Sequence, residues 1–474
     1  MRRVSFMSSL VSREMSRRTF LKRTAAGAAL AFPAVLSLGA MARPHPLLAG
    51  ASKRRITPPL FVPYLTSSAN GTNAPFQGVH DNLFARALVL DDGRQSLAVL
   101  SADSIGYDNS ILGPGRDFTR EWRRRVARRT GLKPANLMLA ATHAHSAPET
   151  IGLTRFRALP GVAEWLETHL QDLAETVVEA WNNRGPVRAY CGAKVVPGIA
   201  RYRRIFLKTG KLSVHGALPP PELVLTPWQL DETLTAVCFA PEAGGLCAAL
   251  LNYTAHPVVA MLLPQVSADY PGAATAFVEQ QFPGATCLFT NGAAGNVNSI
   301  RVSTNFDDVA ALGHKLGAAA VEAIQESLCG QPIPETGLKV RSEHIKLAPR
   351  TWPGGADVQP AALTLARGQQ DSLARLALKL AEGPLHGEMQ AMGLGPVRWI
   401  ALPGEPFVET GLALKRAGAD FVVGYANDYL GYFPLRRAYG EGGYEVMLGP
   451  WSRAAPGSAE YLETIGKDLL NRLK

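Results

Sequence analysis

The stretch Asn136-Leu-Met-Leu-Ala-Ala-Thr-His-Ala-His-Ser-Ala-Pro148 constrains this chain more than any other. An apolar run of strand length stops, and two histidines follow it two residues apart. Strand residues i and i+2 share a face, so the spacing predicts that His143 and His145 project side by side. Ser146 and Pro148 end the strand and leave both imidazoles at the mouth of a sheet, where clefts of α/β proteins lie. Imidazole is a common metal ligand and the usual acid or base near neutral pH. An HxH pair alone fits solvated or core histidines equally well, so other segments must decide. Apolar Ala248–Leu251 leads into Asn252-Tyr-Thr-Ala-His256 and Pro257, and Trp399-Ile-Ala-Leu-Pro-Gly-Glu405 ends in a carboxylate before Pro406. Three strand-like segments thus each end in a ligand-type residue followed by a breaker. Three ligands from His and Glu, with a position left open for water, describe a catalytic zinc site.

The rest of the chain alternates strands and helices. Ala85–Leu90 and Ser96–Ser101 read as a hairpin about Asp91-Asp-Gly-Arg94, and Ile111–Thr130 and Val162–Trp181 as amphipathic helices flanking the HxH strand. A second αβ stretch runs from Val237 to Leu328 and closes with a helix over Asp307–Ser327. Residues 330–366 read as Pro-rich and irregular, Gly368–Ala381 as helical, and alternating apolar residues lead from Leu385 to Glu405. This pattern predicts an α/β fold of layered mixed β-sheets flanked by helices, in a single large catalytic domain over 43–474.

The motifs, taken in order, resemble the neutral/alkaline (non-lysosomal) ceramidases and their bacterial relatives. The matching segments are Gly78-Val-His-Asp-Asn-Leu-Phe-Ala-Arg-Ala87, Thr142-His-Ala-His-Ser146, Ala255-His-Pro257 with Ser267-Ala-Asp269, Asn291-Gly-Ala-Ala-Gly-Asn-Val-Asn298, Pro403-Gly-Glu405, and Asn427-Asp-Tyr-Leu-Gly-Tyr432 followed by Gly443-Tyr-Glu445. They span most of residues 55–452. The resemblance implies zinc ligands at His143, His256, Glu405 and Tyr432, an oxyanion-binding pair at His145 and Tyr444, and a substrate-positioning arginine at Arg201, within Gly198-Ile-Ala-Arg-Tyr-Arg-Arg204. Tyr432 rests on the resemblance alone, since phenolate is an unusual zinc ligand. The family's C-terminal immunoglobulin-like domain has no counterpart before Lys474.

One block departs from the family. Its nucleophilic serine lies in a Gly-Asp-Val-Ser-Pro-Asn-like segment, and the matching residues here are Gly295-Asn-Val-Asn-Ser-Ile300. Asn298 takes the serine position and Asn296 the acidic one. Using Ser299 instead needs a one-residue slip, which on an extended segment turns the side chain to the other face. No Gly-x-Ser-x-Gly elbow occurs. Metal-activated water supplies a nucleophile without a serine. The resulting expectation is a zinc-dependent hydrolase of a small-molecule or lipid N-acyl amide, with Asn298 holding water or substrate. The alternative is a zinc-containing binding protein of the same fold whose turnover is weakened.

Several other residues carry weaker expectations. Asp103 and Asp269 follow strands and are candidates either for orienting the imidazoles or for capping loops. Asn291 and Asn298 bracket a Gly/Ala-rich turn that forms a site wall or a tight packing contact. His80 reads as a structural histidine, and His215, His314 and His386 as surface or core.

The net charge of +10 suggests a polyanion partner until it is divided along the chain. Residues 1–42 hold seven basic residues against Glu14, so six of the ten net charges fall there and four remain for 432 residues. Trp122-Arg-Arg-Arg125 and Arg128-Arg129 read as a solvated helix face, not a nucleic-acid patch. Ser16-Arg-Arg-Thr-Phe-Leu-Lys22, the Ala/Gly-rich stretch after Thr24, and Ala40-Met-Ala42 together read as a twin-arginine signal over 1–42. That implies a periplasmic or secreted protein, and no other run has the length to span a bilayer. Five cysteines, an odd number without metal-type spacing, read as small buried hydrophobes.

Overall fold

Strands that are apolar on both faces need cover on both sides, and three sheets provide it for one another. The computed structural model describes residues 45–213, 219–225, 229–334, 337–351 and 375–474, residue 378 excepted. The twin-arginine segment, His215 and the first part of the helix expected over Gly368–Ala381 lie outside the described residues. The first sheet runs, in order, Leu137–Ala141, Ser96–Ala102, Phe84–Asp91, Leu48–Arg55 and Gly185–Pro186. The second runs Thr286–Asn291, Ala248–Tyr253, Thr233–Ala240 and Arg188–Val195, and the third Leu338–Leu347, Leu385–Leu394, Val397–Ala401 and Phe421–Val423. Each sheet is mixed and contains one parallel pair: Leu137–Ala141 with Ser96–Ala102, Ala248–Tyr253 with Thr286–Asn291, and Val397–Ala401 with Phe421–Val423. All of it belongs to one compact unit, His45–Lys474.

Side-chain alternation divides each sheet between two cores. One face of every sheet enters a shared centre: Leu88, Val99 and Met138 from the first, Val237 and Leu250 from the second, Met392, Trp399 and Phe421 from the third. The opposite faces are covered by helices. Phe118–Thr130 and Val162–Asn182 cover the first sheet, Asp269–Gln281 and Phe306–Cys329 the second, and Ser458–Asn471 the third.

The hairpin forms as expected, with Asp91 opposite Ser96. The helix expected from Ile111 starts only at Phe118: Gly113 and Gly115 take φ of +102° and +73°, and the Asp117 side chain accepts from Arg120 N as the cap. Residues 330–366 are not irregular throughout, because Leu338–Leu347 is a ten-residue strand. Its buried Leu338, Val340, Ile345 and Leu347 alternate with charged neighbours, and the prolines on either side mask that signal. The arginines of Phe118–Thr130 meet carboxylates: Arg123 pairs with Glu388 at 2.6 Å, Arg125 with Glu167 at 2.9 Å, and Arg129 with Glu175. Cys238 and Cys287 are buried, but Cys191 and Cys329 are exposed, one on the edge strand Arg188–Val195 and the other at a helix end. No helix among the described residues is long and apolar enough to cross a membrane.

Trp399, 2% exposed and stacked on Phe421, sits where the three sheets meet. Trp399→Ala leaves a cavity there and should cost about 3–5 kcal/mol. The expected outcome is a lower urea midpoint with an unchanged slope; an unchanged midpoint would show that the three-sheet junction is not a core.

Candidate metal centre and active site

The three ligand-bearing segments leave the C-terminal ends of three strands, one from each sheet. Each of those strands is a member of its sheet's parallel pair. Leu137–Ala141 leads to His143 and His145, Ala248–Tyr253 to His256, and Val397–Ala401 to Glu405. The expected side-by-side projection of His143 and His145 from a strand is not what forms. The strand ends at Ala141, and His143 takes φ +69°, a left-handed conformation that costs a non-glycine residue free energy. The imidazoles still meet, edge to face, with ring centres 4.8 Å apart.

Backbone carbonyls orient the rings. His143 Nδ1 lies 2.6 Å from Ile105 O, and His256 Nδ1 lies 2.8 Å from Ala294 O. A neutral imidazole that donates from Nδ1 presents a lone pair at Nε2. Those lone pairs converge. His143 Nε2 is 3.3 Å from His145 Nε2 and 3.5 Å from Glu405 Oε2, and His256 Nε2 is 3.0 Å from Glu405 Oε2. His256 Nε2 and Glu405 Oε2 are buried without a hydrogen-bond partner. Burial, with the neighbouring imidazoles adding to it, pushes His145 well below its ordinary pKa, and burial lowers His256 to about 4. Burial opposes ionisation of Glu405, but His143 and His256 outweigh it and hold the carboxyl well below the usual range. Converging imidazoles and a buried carboxylate are a donor set that fits a cation. The ligand atoms of His143, His145 and His256 all lie within 4.8 Å of one another, so His145, expected to bind an oxyanion, is equally placed as a ligand.

Packing fixes these groups in place. The Tyr425 ring stacks on His143 at 3.8 Å, and Tyr429 donates its hydroxyl to Glu405 Oε1. Asn291 Nδ2 bonds Thr142 O at 3.2 Å and Ala255 O at 3.0 Å, tying together the two loops that carry the histidines. A Cβ on Gly295 would stand 2.5 Å from Glu405 O, so only glycine lets this turn approach. Glu405 pairs in register with Tyr432 across a short parallel ladder.

A cavity of about 350 Å³ opens beside the cluster, and His145, Arg201, Asn298, Tyr432 and Tyr444 all line it. Tyr444 packs flat on Trp451 at 5.4 Å, and burial raises its phenol so that it stays protonated. The Val297–Ser299 strand pairs with Ala200–Tyr202 and sets Asn298 opposite Arg201. Arg203, two residues on, is the functional residue that sequence reasoning passed over. Its buried guanidinium donates to Tyr432 Oη at 3.0 Å, Asn298 Oδ1 at 3.0 Å, Gly295 O at 2.7 Å and Glu445 Oε1 at 2.8 Å. Both arginines line the cavity, and the available signal was the i, i+2 spacing after a short strand.

Other candidates fall away from the cluster. Asp103 pairs with Arg86 at 2.8 Å, and Asp269 accepts from Ala260 N and Tyr270 N, so both carboxylates hold loops and leave the imidazoles to backbone carbonyls. Ser299 donates to Arg301 O at 2.6 Å, and Asn296 bonds Glu409 and Val408 N. His80 stacks on Phe306 at the surface.

No family model matches the chain. It is 24% identical to the neutral ceramidase of Pseudomonas aeruginosa, over an alignment that covers 80% of this chain and 66% of that protein. It therefore spans just under two thirds of that relative's length. The crystal structure of neutral ceramidase from Pseudomonas aeruginosa superposes with a TM-score of 0.68 at 19% identity, covering 90% of this chain and 74% of the other. A ceramidase complexed with C2 gives 0.70 at 18%, covering 90% and 75%. These likenesses show that the fold is shared.

The cluster predicts one divalent metal per chain. His143→Ala and Glu405→Ala should each purify folded but with little metal by elemental analysis, and chelation should lower the melting temperature of the native protein until metal is restored. Stoichiometric metal in both variants would eliminate this site. Loss in His145→Ala but not in Glu405→Ala would assign the metal to the three imidazoles instead.

Proposed function

We propose that this chain is a member of the neutral ceramidase family and an exported zinc-dependent hydrolase of an N-acyl amide that uses water as its nucleophile. The observation that carries the reading is the meeting of His143, His145, His256 and Glu405 at the edge of a cavity lined by amide-binding groups. The relatives are ceramidases, and ceramide is an N-acyl amide. Zinc held by His143, His256 and Glu405, with Tyr432 or His145 as a fourth ligand, would polarise a carbonyl or lower the pKa of a water to about 7.

The chain's own residues supply the rest. Tyr444, protonated through burial, and His145, neutral through burial, can donate to the oxygen on which negative charge develops. Arg203 Nη1 occupies Asn298 Oδ1, which turns the carboxamide Nδ2 toward the remaining space as a donor. A carboxamide cannot attack a carbonyl at neutral pH, so Asn298 holds substrate or water and forms no acyl-enzyme. Ser299 spends its hydroxyl on Arg301 O, which argues against a slipped serine. The second reading, a zinc-containing binding protein with weakened turnover, is favoured by the same Asn298 at the position where the family keeps serine.

Metal-loaded protein should hydrolyse short N-acyl amides with linear progress curves, Ser299→Ala should keep full activity, and a fluorophosphonate should not label the chain. A burst followed by slow turnover, or a covalent serine adduct, would overturn the water mechanism. A complete lack of turnover across amides and esters would favour the binding protein. Export by the twin-arginine route is tested separately: Arg17→Lys with Arg18→Lys should hold the protein in the cytoplasm on cell fractionation, and unchanged fractionation would exclude that signal.

A further inference from the structure

We propose that the outer ridge of the helix Phe118–Thr130, made by Arg120, Arg124 and Arg128, docks the protein on a bilayer surface rich in anionic phospholipid head groups. Residues 116–130 hold seven arginines against Asp117 and Glu121. Four of the seven are answered by carboxylates: Arg116 by Glu121 and Glu167, Arg123 by Glu388, Arg125 by Glu167, and Arg129 by Glu175. The other three are exposed, and their side chains make no ion pair or hydrogen bond among the described residues. Spaced at i, i+4 and i+8, they stand in line along the helix at about 6 Å per step. Each is offset by two positions, about 200° round the helix, from the buried Phe118, Trp122 and Val126, so the ridge faces away from the first sheet.

Such a ridge costs the folded chain stability. Like charges four residues apart on a helix repel one another. Arg120 also sits in the first turn, where the helix dipole disfavours a cation, and only Arg128 in the last turn is favourably placed. An anionic partner outside the chain offsets both costs, and guanidinium meets phosphate with paired, charge-assisted hydrogen bonds. Shape selects among anionic partners. The ridge is convex, and the carboxylates that answer its neighbours flank it, Glu167 and Glu175 on one side and Glu388 on the other. A planar array of head groups touches the three arginines and leaves those carboxylates behind the contact. A helix set in a nucleic-acid groove has phosphates along both flanks, where the carboxylates would repel them. Attraction to an anionic leaflet grows with each arginine near the surface and is screened by salt. The ridge takes no part in the metal cluster or its cavity, so docking stands apart from the hydrolase reading.

The test is flotation of the full chain with vesicles of phosphatidylcholine alone and of equal parts phosphatidylcholine and phosphatidylglycerol. Binding should require phosphatidylglycerol and weaken as salt rises from about 20 to about 200 mM. The triple variant Arg120→Gln, Arg124→Gln, Arg128→Gln should lose at least about tenfold in partition constant, and the matching triple lysine variant should keep most of it. Thermal melts should place the glutamine variant no lower than the native chain, because the repulsion along the ridge is gone. A control that removes three exposed cations from other elements, Arg94→Gln with Arg188→Gln and Arg472→Gln, should bind as the native chain does. Equal binding by the ridge variant, or an equal loss in the control, overturns the proposal. So does ridge-dependent binding of duplex DNA that is tighter than binding of the vesicles, which would assign the face to nucleic acid.

Discussion

Three imidazoles and a carboxylate converge at the edge of one cavity. Such an arrangement is unfavourable on its own. His256 Nε2 is buried without a hydrogen-bond partner, and Glu405 carries its charge at 2% exposure. His143 adds a left-handed backbone, a conformation that costs on the order of 1–3 kcal/mol. These terms persist because the neighbours over-determine them: carbonyls of Ile105 and Ala294 grip the Nδ1 atoms, Tyr425 covers one ring, and Tyr429 holds the far oxygen of Glu405. A divalent cation bound as proposed would turn the buried lone pair and the carboxylate charge into bonds. The geometry therefore reads as a receptacle, built at the expense of the protein without its ion.

Much of this was legible in the chain because chemistry and punctuation coincide. An apolar run that ends in histidine or glutamate, followed by proline or glycine, marks a strand whose end is a place for chemistry. The same logic left Asp103 and Asp269 open between two roles, since a carboxylate after a strand can equally well hold a loop: Asp103 answers the buried Arg86, and Asp269 accepts from backbone N–H groups. It also could not foresee that His143 leaves the sheet, because the left-handed turn is held by tertiary bonds from Thr142 N to Ala102 O and from Ala144 N to Ser104 O, at the end of the neighbouring strand. Leu338–Leu347 was hidden by flanking prolines and by an alternation that changes face between Val340 and Ile345. Arg203 was hidden for a different reason. Three arginines fall in four positions, Arg203 and Arg204 are both buried, and only the tertiary contacts distinguish the one that reaches Tyr432.

The network about Arg203 holds the asparagine at position 298 in place. One guanidinium joins the turn Gly295–Asn298, the ladder residue Tyr432 and the Glu445 segment. Asn298 is a full member of that network through its oxygen, so the site is internally consistent with an amide there. The carboxamide is thus accommodated by hydrogen bonds.

The ligands come from three separate sheets, at positions 143, 256 and 405. Joining them closes loops of more than a hundred residues each, an entropic cost that rises only slowly with length but must be met before any ligand can find the others. No fragment of the chain contains the site, and no early folding intermediate built on one sheet can bind the ion with native affinity. Capture of the metal proposed here would be a late step that reports completed assembly, and the bound ion would act as a cross-link between all three sheets, so that its loss would loosen the junction of the whole molecule instead of a single loop.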